Sequence, residues 1–312
     1  MFKKLQKMMS SEELRGLYPI KDRAFKERRD GEIKAVLSGD SDKFLVVVGP
    51  CSLDDEGAIF EYLGELKKIE DVLKDRMLIV PRLFSAKPRT LGGYRGLMHE
   101  EDGLKKVRRV LAGAVNDFEF CGADELLYPF SYEYFFDAIS YYTIGARSAV
   151  NQEHRFFSSG IDVAVGIKNP LNGDINLLKS SIEIAKKSSV FYYDGMVVET
   201  SGNPYAHAIL RGYQDKRGEH ANNMDSVNLL DGIPVIMDLG HSNAKKSHVL
   251  IEDNYKKLLR MLSNKNIKGV MIESYLKEGR SDNPAYGQSI TDACLSLRQT
   301  KNLLLDLHEK LI

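Results

Sequence analysis

Four side chains of the types that bind divalent transition metals lie far apart in the chain. They are Cys51, in the string Gly-Pro-Cys-Ser at 49–52, and His241, Glu273 and Asp292. Thiolate, imidazole and carboxylate together form a mixed soft and hard ligand set that suits Mn, Fe, Co or Zn. A single Cys is more often a small buried residue and a single Asp more often a helix start, so only a fold that gathers distant segments would make this a metal site.

Cations that follow apolar runs form a second chemical set. Arg binds phosphate and carboxylate groups through two parallel hydrogen bonds, and Lys binds them as a point charge. One such residue taken alone is more often a solvated surface charge. Several such residues gathered in one pocket would indicate ligands that carry several negative charges. The set consists of Arg82, Lys87, Arg89, Arg147, Lys168 and Arg211.

Strands and helices alternate along the chain. Short apolar, β-branched runs predict strands over 44–48, 77–80, 125–127, 144–146, 163–167, 208–210, 233–237 and 270–272. The segments between and after them predict helices over 56–73, 104–118, 132–140, 152–158, 175–187, 245–262 and 291–312. This alternation implies a parallel sheet, and eight units with almost wholly apolar strands predict a closed (β/α)8 TIM barrel over 44–312. Because active sites in such barrels lie at the carboxyl ends of the strands, both chemical sets and Glu125 are expected at one mouth.

Residues 1–43 precede the first predicted strand. They are charged, a helix start is indicated by Ser-Glu-Glu-Leu at 11–14, and Pro19 interrupts the pattern. We expect an N-terminal helical extension that packs on the barrel or on a neighbouring subunit.

The composition narrows the class of protein. Lys plus Arg and Asp plus Glu both number 44 in 312 residues, so a surface-wide nucleic-acid footprint is not expected. The sequence has no stretch of roughly 20 apolar residues, no signal-peptide pattern, no G-x-G-x-x-G and no Walker A loop. Three scattered cysteines, Cys51, Cys121 and Cys294, fit a reducing cytoplasm, and the last two have no evident role. His154 and His207 are interpreted as hydrogen-bonded structural histidines rather than pocket residues.

With these motifs in order, the chain resembles the type I 3-deoxy-D-arabino-heptulosonate 7-phosphate (DAHP) synthases, in the bacterial class that includes the phenylalanine-, tyrosine- and tryptophan-sensitive enzymes. The resemblance runs from about residue 33 to the end. Its most specific strings are GPCS at 49–52, KPRT at 87–90, IGAR and NQEHR within 144–155, GIKN at 166–169, TSGN and HAILRG within 200–212, GHSN at 240–243 and YGQSITDAC at 286–294.

The resemblance implies a metal-dependent condensation of phosphoenolpyruvate with erythrose 4-phosphate and water, the first step of the shikimate pathway. By position, Cys51, His241, Glu273 and Asp292 would bind the divalent metal, for which Mn²⁺ is expected and Fe²⁺, Co²⁺ or Zn²⁺ are alternatives. The cations that would hold phosphoenolpyruvate, with Glu125 beside them, are Arg82, Lys87, Arg147, Lys168 and Arg211. The residues that would meet erythrose 4-phosphate are Lys87, Pro88, Arg89 and Thr90.

Two catalytic roles follow as hypotheses beside the metal ligands Cys51 and His241. Lys87 would donate a proton, and Glu125 would help to position the attacking water. A relative that condenses phosphoenolpyruvate with another aldose phosphate, such as arabinose 5-phosphate, and a non-catalytic regulatory barrel remain as alternatives. A homodimer or homotetramer is expected, with neither nucleic acid nor membrane as a partner.

Departures from the resemblance bear on regulation. Ala86 stands where an acidic residue is common, Tyr94 replaces a common Trp, and the segment from 190 to 200 is short. In feedback-inhibited members that segment forms a hairpin beside the aromatic amino-acid site, and Asp162 stands where a small polar residue is common there. We therefore predict weak or no inhibition by Phe, Tyr or Trp.

Overall fold

Eight parallel strands close into a barrel in the structure, a computed structural model that describes residues 1–89 and 92–311. The strands of the chain are β1 (Phe44–Gly49), β2 (Met77–Pro81), β3 (Gly122–Glu125), β4 (Ile139–Ile144), β5 (Ala164–Lys168), β6 (Val190–Tyr193), β7 (Met196–Glu199), β8 (Ala206–Leu210), β9 (Tyr213–Gln214), β10 (His220–Ala221), β11 (Val235–Asp238), β12 (Ile267–Tyr275) and β13 (Leu295–Ser296). Hydrogen-bonded neighbours follow the order β2-β1-β12-β11-β8-β5-β4-β3, and a parallel bridge between Arg82 and Ala123 joins its two ends. The predicted (β/α)8 barrel is therefore confirmed.

Helices surround the barrel. They are α1 (Ser11–Leu17), α2 (Arg23–Ser38), α3 (Glu56–Leu73), α4 (Gly103–Phe118), α5 (Tyr132–Phe135), α6 (Gln152–Ser158), α7 (Ile175–Ala185), α8 (Ile251–Leu259) and α9 (Leu297–Lys310). None of the helices in the described part of the chain is long and apolar enough to cross a membrane.

Alternation along the barrel strands decides which residues reach the mouth. Side chains two residues apart share a face, and the inward apolar layer holds Leu45, Val47, Leu78, Val80, Ala123, Tyr141, Ala164, Ile209, Ile236 and Met271. The next inward position, at or just after the end of five strands, is charged. These positions are Arg82 after Val80, Glu125 after Ala123, Arg211 after Ile209, Asp238 after Ile236 and Glu273 after Met271.

Helix α2 of the N-terminal segment covers the barrel interior from the end opposite these charged residues. Its buried side chains Ile33, Val36 and Leu37 pack in the same cluster as the inward residues of β1 and β2. The helix begins after Asp22, whose carboxylate accepts a hydrogen bond from Phe25 N at 2.9 Å, and ends at Gly39, whose φ of 86° favours glycine. The extension thus supplies core surface to the barrel, while its status as a separate unit stays a prediction.

Several predicted elements differ from the observed ones. The third strand lies at Gly122–Glu125 rather than 125–127, because Gly, Ala, Asp and Glu give no apolar run that a sequence pattern could detect. The helix predicted over 132–140 ends at Phe135, and the aromatic residues that follow form strand β4 instead. Aromatic side chains suit a buried strand as well as a helix, so this boundary was ambiguous in the sequence.

The last two helices are also shorter than predicted. Helix α8 covers Ile251–Leu259 instead of 245–262, and α9 begins at Leu297 rather than at 291. A capping box formed by Ser296 and Gln299 fixes the start of α9. The helices over Glu56–Leu73 and Gln152–Ser158 have the predicted bounds.

A two-stranded antiparallel hairpin, β6 and β7, projects from the barrel between α7 and β8. The outer side carries three exposed apolar side chains, Val190, Tyr192 and Val197, and the exposed Glu199 at its edge. On its inner side, Phe191 and Tyr193 pack against Phe157, with ring centroids 6.5 Å and 5.0 Å away. The hairpin therefore buries one aromatic face and presents an apolar one.

Candidate active site

A cavity with a volume of about 660 Å³ lies at the carboxyl ends of the barrel strands. Both chemical sets predicted from the sequence contribute to its wall. Nine of the predicted residues line it, and they are Lys87, Pro88, Arg89, Glu125, Arg147, Lys168, Arg211, His241 and Asp292. Cys51 and Glu273 are buried and contact residues of this wall, and Arg82 is buried beside Glu273. Thr90 lies outside the described residues.

The predicted metal ligands come together. Donor atoms of Cys51, Glu273 and Asp292 all lie within 4.8 Å of one another, and Cys51 Sγ is 3.5 Å from Asp292 Oδ2. The fourth predicted ligand, His241, lies next to this group of three, and its Nε2 is 3.5 Å from Glu273 Oε1. One thiol, one imidazole and two carboxylates at this spacing fit a divalent transition metal with mixed soft and hard ligands. Barrel closure unites residues that are 241 positions apart, from Cys51 to Asp292.

Lys87 reaches into this donor group. Its Nζ donates a hydrogen bond to Cys51 Sγ at 2.7 Å and lies 2.9 Å from Asp292 Oδ2 and 3.9 Å from Glu273 Oε1. Burial alone would lower the pKa of Lys87, but the charges of Asp292, Cys51 and Glu273 outweigh it and raise that pKa well above its ordinary value. Lys87 in turn lowers the pKa of Asp292. An ammonium group is therefore held at the predicted metal ligands.

The Cys51 thiol needs a neighbouring cation to ionise. Burial, together with the charge of Glu273, raises its pKa well above the ordinary value, while Lys87 acts in the opposite direction. A metal-bound thiol is deprotonated because the ion's own charge stabilises the thiolate. Cys51 therefore suits a metal ligand, and it does not suit a free nucleophile.

Asp238, which was not among the predicted site residues, is the close neighbour of His241. Its Oδ2 lies 2.7 Å from His241 Nδ1, and its Oδ1 accepts a hydrogen bond from Gly240 N at 2.9 Å. Burial would raise the pKa of Asp238, but His241 lowers it well below the ordinary value. A carboxylate behind the histidine leaves Nε2 facing Glu273 and sets the ring orientation. The sequence does indicate this position, because Asp238 lies two residues after Ile236 on β11 and therefore on the same inward face.

The backbone at His241 is unusual. Its φ is 48°, and Lys245 and Lys246 in the same loop have φ values of 49° and 60°. Non-glycine residues in this left-handed region are strained, and such strain is concentrated at functional sites. The loop after β11, which carries His241, therefore has a strained backbone conformation of the kind found at functional sites.

A buried ion pair marks the opposite side of the cavity. Lys168 Nζ donates to Glu125 Oε2, and both side chains are almost fully buried. Burial would raise the pKa of Glu125, but Lys168 outweighs it and lowers that pKa, so the carboxylate is ionised at neutral pH. A Cβ at Gly145 would lie 2.5 Å from Glu125 Oε1, which is why glycine is needed there.

Arg82 has a different position from the other predicted substrate cations. It is fully buried, and one of its terminal nitrogens lies 3.3 Å from Glu273 Oε1. Its guanidinium rests 4.1 Å from the ring centroid of Phe84, and Lys168 Nζ lies 5.2 Å from the same ring. In the described chain, its other terminal nitrogen, Nη1, has no hydrogen-bond partner. Contact between Arg82 and a substrate stays a prediction.

Further polar residues line the cavity without having been selected from the sequence. Ser242 belongs to the GHSN string, where it accepts a hydrogen bond from Arg211 at 2.8 Å and lies 2.7 Å from His220 Nδ1. Thr291 belongs to the YGQSITDAC string, Gln214 and His220 come from the short strands β9 and β10, and Lys246 and Arg280 come from loops.

His154 and His207 form hydrogen bonds within the fold and do not line the cavity, as predicted. His154 contacts Asn151 Oδ1 at 3.1 Å and the Leu127 carbonyl at 3.2 Å. His207 lies inside the barrel, fully buried, with its Nε2 2.6 Å from Tyr141 Oη. All three cysteines are buried and free.

Comparison with known proteins shows what the whole chain is similar to. Residues 18–305 match the model of the DAHP synthetase I family. Among curated proteins, a phospho-2-dehydro-3-deoxyheptonate aldolase from Haemophilus influenzae is 34% identical over 95% of this chain and 89% of its own. The Phe-sensitive enzyme of that name from Escherichia coli (strain K12) is 35% identical over 88% of this chain and 85% of its own.

The fold also matches that of a solved structure. The phospho-2-dehydro-3-deoxyheptonate aldolase from Francisella tularensis SCHU S4 superimposes with a TM-score of 0.91 at 29% sequence identity. The match covers 100% of this chain and 98% of that one.

Proposed function

Because the chain belongs to the DAHP synthetase I family, we propose that the cavity at the barrel mouth is where it condenses its two substrates. The enzyme joins phosphoenolpyruvate to D-erythrose 4-phosphate with water and gives DAHP and inorganic phosphate. This is the first step of the shikimate pathway, which leads to the aromatic amino acids. The observation that carries the assignment of the site is the meeting of a metal-type donor group and a ring of cations in one cavity.

The cations of the cavity hold phosphoenolpyruvate in this proposal. Three of them come from neighbouring strands and surround one side of the cavity. Arg147 follows β4, Lys168 is the last residue of β5, and Arg211 follows β8. Arg82 and Lys87 complete the set from the segment after β2. Guanidinium groups bind the phosphate and carboxylate of this substrate through paired hydrogen bonds, and water-poor surroundings strengthen each contact.

Erythrose 4-phosphate meets the segment after β2. Lys87, Pro88 and Arg89 line the cavity next to the metal-type donors, and Thr90 follows them in the sequence. C3 of phosphoenolpyruvate attacks the aldehyde carbon, and the aldehyde oxygen takes up a proton to become a hydroxyl group. Lys87 donates that proton, because its ammonium is held at the donor group where the aldehyde would be bound.

Water then adds to C2 of the former phosphoenolpyruvate, which has become electron-poor. Glu125 is ionised and faces the cavity, so it positions this water and favours loss of its proton. The resulting hemiketal expels inorganic phosphate and leaves the keto group. The cation ring stabilises the phosphate as it departs.

Cys51, His241, Glu273 and Asp292 hold a divalent ion, for which we propose Mn²⁺, with Fe²⁺, Co²⁺ or Zn²⁺ as alternatives. When bound there, the ion supplies Lewis-acid polarisation of the aldehyde oxygen. The thiol among the donors supports a transition metal over Mg²⁺ or Ca²⁺, which prefer oxygen ligands.

A homodimer or homotetramer in the cytoplasm completes the proposal. The exposed apolar face of the hairpin, with Tyr192 exposed by 87%, supports burial against a second subunit. Three free cysteines support a reducing compartment. Sedimentation velocity at several protein concentrations measures the assembly, and a monomer at every concentration would contradict it.

The assay of the proposal follows consumption of phosphoenolpyruvate by purified protein. Erythrose 4-phosphate and arabinose 5-phosphate are supplied in parallel, with protein as purified, after EDTA treatment and after return of Mn²⁺. We expect turnover with erythrose 4-phosphate that is lost with EDTA and restored by Mn²⁺. Turnover only with the pentose phosphate would assign the site to a different aldose, and no turnover by folded, metal-loaded protein would favour a binding role.

A further inference from the structure

Asp124 binds the segment that carries Lys87, although it lies outside the cavity. Its Oδ1 accepts a hydrogen bond from Ser85 N at 2.8 Å, and its Oδ2 accepts one from Ser85 Oγ at 2.8 Å. Both residues are buried, with exposed fractions of 2% and 1%. Two bonds to one residue fix its position and its rotation, so Asp124 holds the backbone two residues before Lys87.

The segment from Leu83 to Arg89 has no regular structure of its own. On the side away from Asp124 it is bonded to the chain at 95–98. Lys87 N donates to Arg95 O at 2.8 Å, and Ser85 O accepts from Met98 N at 3.1 Å. The segment is therefore attached on two sides, to the barrel through Asp124 and to the chain at 95–98 through backbone hydrogen bonds.

Asp124 and Glu125 are successive residues on β3, so their side chains point to opposite faces of the strand. Glu125 points into the cavity and pairs with Lys168. Asp124 points outward and holds Ser85. Two successive residues of β3 therefore contact two different parts of the cavity wall, Lys168 and the segment that carries Lys87.

A carboxylate at this place costs stability. Burial raises the pKa of Asp124 to about 7, and no Lys, Arg or His side chain of the described chain lies within ion-pair distance of it. Hydrogen bonds from Ser85 oppose this rise only in part. Buried groups that lack a counter-charge are unfavourable for folding, so a role in the site explains the residue better than a role in stability.

We propose that Asp124 is a positioning residue for the condensation, which acts by holding Ser85 and thereby the Lys87–Arg89 part of the cavity wall. This inference rests on the proposed contact between that wall and erythrose 4-phosphate. Phosphoenolpyruvate depends less on the segment, because Arg147, Lys168 and Arg211 come from other strands.

Kinetics of three variants test the proposal. For Asp124→Ala, kcat/KM for erythrose 4-phosphate should fall by about 10- to 100-fold, as expected for a small displacement of a positioning group. KM for phosphoenolpyruvate should change by less than about threefold, and bound metal should be unchanged. Asp124→Asn should recover most of the loss, because its amide can accept from Ser85 N and donate to Ser85 Oγ. Ser85→Ala, which keeps the backbone bond, should show a smaller loss than Asp124→Ala.

Hydrogen exchange tests the same contact without substrate. Peptides that cover 83–98 should exchange at least tenfold faster in Asp124→Ala than in wild type or Asp124→Asn, while peptides of β5 and β8 are unchanged. This readout separates the inference from the proposed reaction, which wild-type turnover tests alone. Equal losses toward both substrates, failure of the Asn variant to recover, or unchanged exchange at 83–98 would each overturn the role of Asp124. If the Ala variant does not fold, the Asn and Ser85→Ala variants decide the question by the same measures.

Discussion

Lys87 Nζ donates a hydrogen bond to Cys51 Sγ at 2.7 Å, across 36 positions of sequence. This contact joins the two chemical sets that the sequence suggested separately, the metal-type donors and the substrate cations. It also places the proposed proton donor beside the side chains that would bind the metal ion, where the aldehyde group of the substrate would lie. Substitutions can separate these roles, because Lys87 is not itself one of the four metal donors.

Replacement of Lys87 by Met should remove the proton donor and leave the metal donors intact. At saturating substrate and metal, we expect turnover to fall by about 10²- to 10⁴-fold, the range for loss of a general acid. Metal content, measured by mass spectrometry on the purified variant, should stay at the wild-type level. Lys74→Met, at an exposed position beyond α3, is the matched control. Near-full turnover of Lys87→Met would remove the proposed role.

The Glu125→Gln variant should lose the charge that orients water while keeping the shape of the side chain. Because Lys168 holds Glu125 ionised at neutral pH, the amide cannot replace its function. We expect kcat to fall by about 100-fold or more in steady-state assays. Glu101→Gln on an exposed loop provides the comparison. A Glu125→Gln enzyme with wild-type kcat would show that water is positioned by another group.

Much of the site followed from residue type and strand order. Cys51, His241, Glu273 and Asp292 were selected as donors, and the structure brings them together because barrel closure gathers the strand ends. The barrel itself was predictable from eight apolar runs separated by helical segments.

The rest depended on contacts that a linear pattern does not contain. Asp238 and Asp124 look alike in sequence, yet Asp238 lies beside His241 and Asp124 is hydrogen-bonded to Ser85. Strand β3 was misplaced because Gly122–Glu125 has no apolar run, and its existence depends on pairing with β4. Tertiary pairing overrides weak local preference in such short buried strands.

Asp238→Asn should weaken metal binding without removing a metal ligand. The carboxylate orients His241 and increases its basicity, and loss of such a partner lowers metal affinity by about 10- to 100-fold. Competition with a fluorescent chelator for Mn²⁺ measures the effect directly. Asp225→Asn, which alters an exposed partner of Lys257, should bind metal like the wild type. Equal affinity of both variants would contradict the role given to Asp238.

Acid should destabilise the fold through His207. Burial lowers its pKa from 6.5 to about 4, so the unfolded chain binds a proton that the folded chain does not between these values. Stability therefore rises with pH from about 4 to 6.5, and this group contributes about 3 kcal/mol of the change. Urea unfolding at several pH values should show a steeper dependence in wild type than in His207→Gln, which retains hydrogen-bonding groups. Parallel curves for the two proteins would assign the acid effect to other residues.

Aromatic amino acids should inhibit this enzyme weakly or not at all. An effector of that kind needs room for its ring, and the inner side of the hairpin is already filled by the chain's own rings. Phe191 lies 6.2 Å from Phe156 and 6.5 Å from Phe157, centroid to centroid. Asp162, with its side chain 98% exposed, is paired with Lys34 at 3.1 Å. In assays at saturating metal, up to millimolar Phe, Tyr or Trp should leave at least about 80% of the activity, since the filled face offers no ring site. Strong inhibition by any one of them would show that the hairpin opens to admit an effector, and Phe191→Ala would then be expected to change its potency.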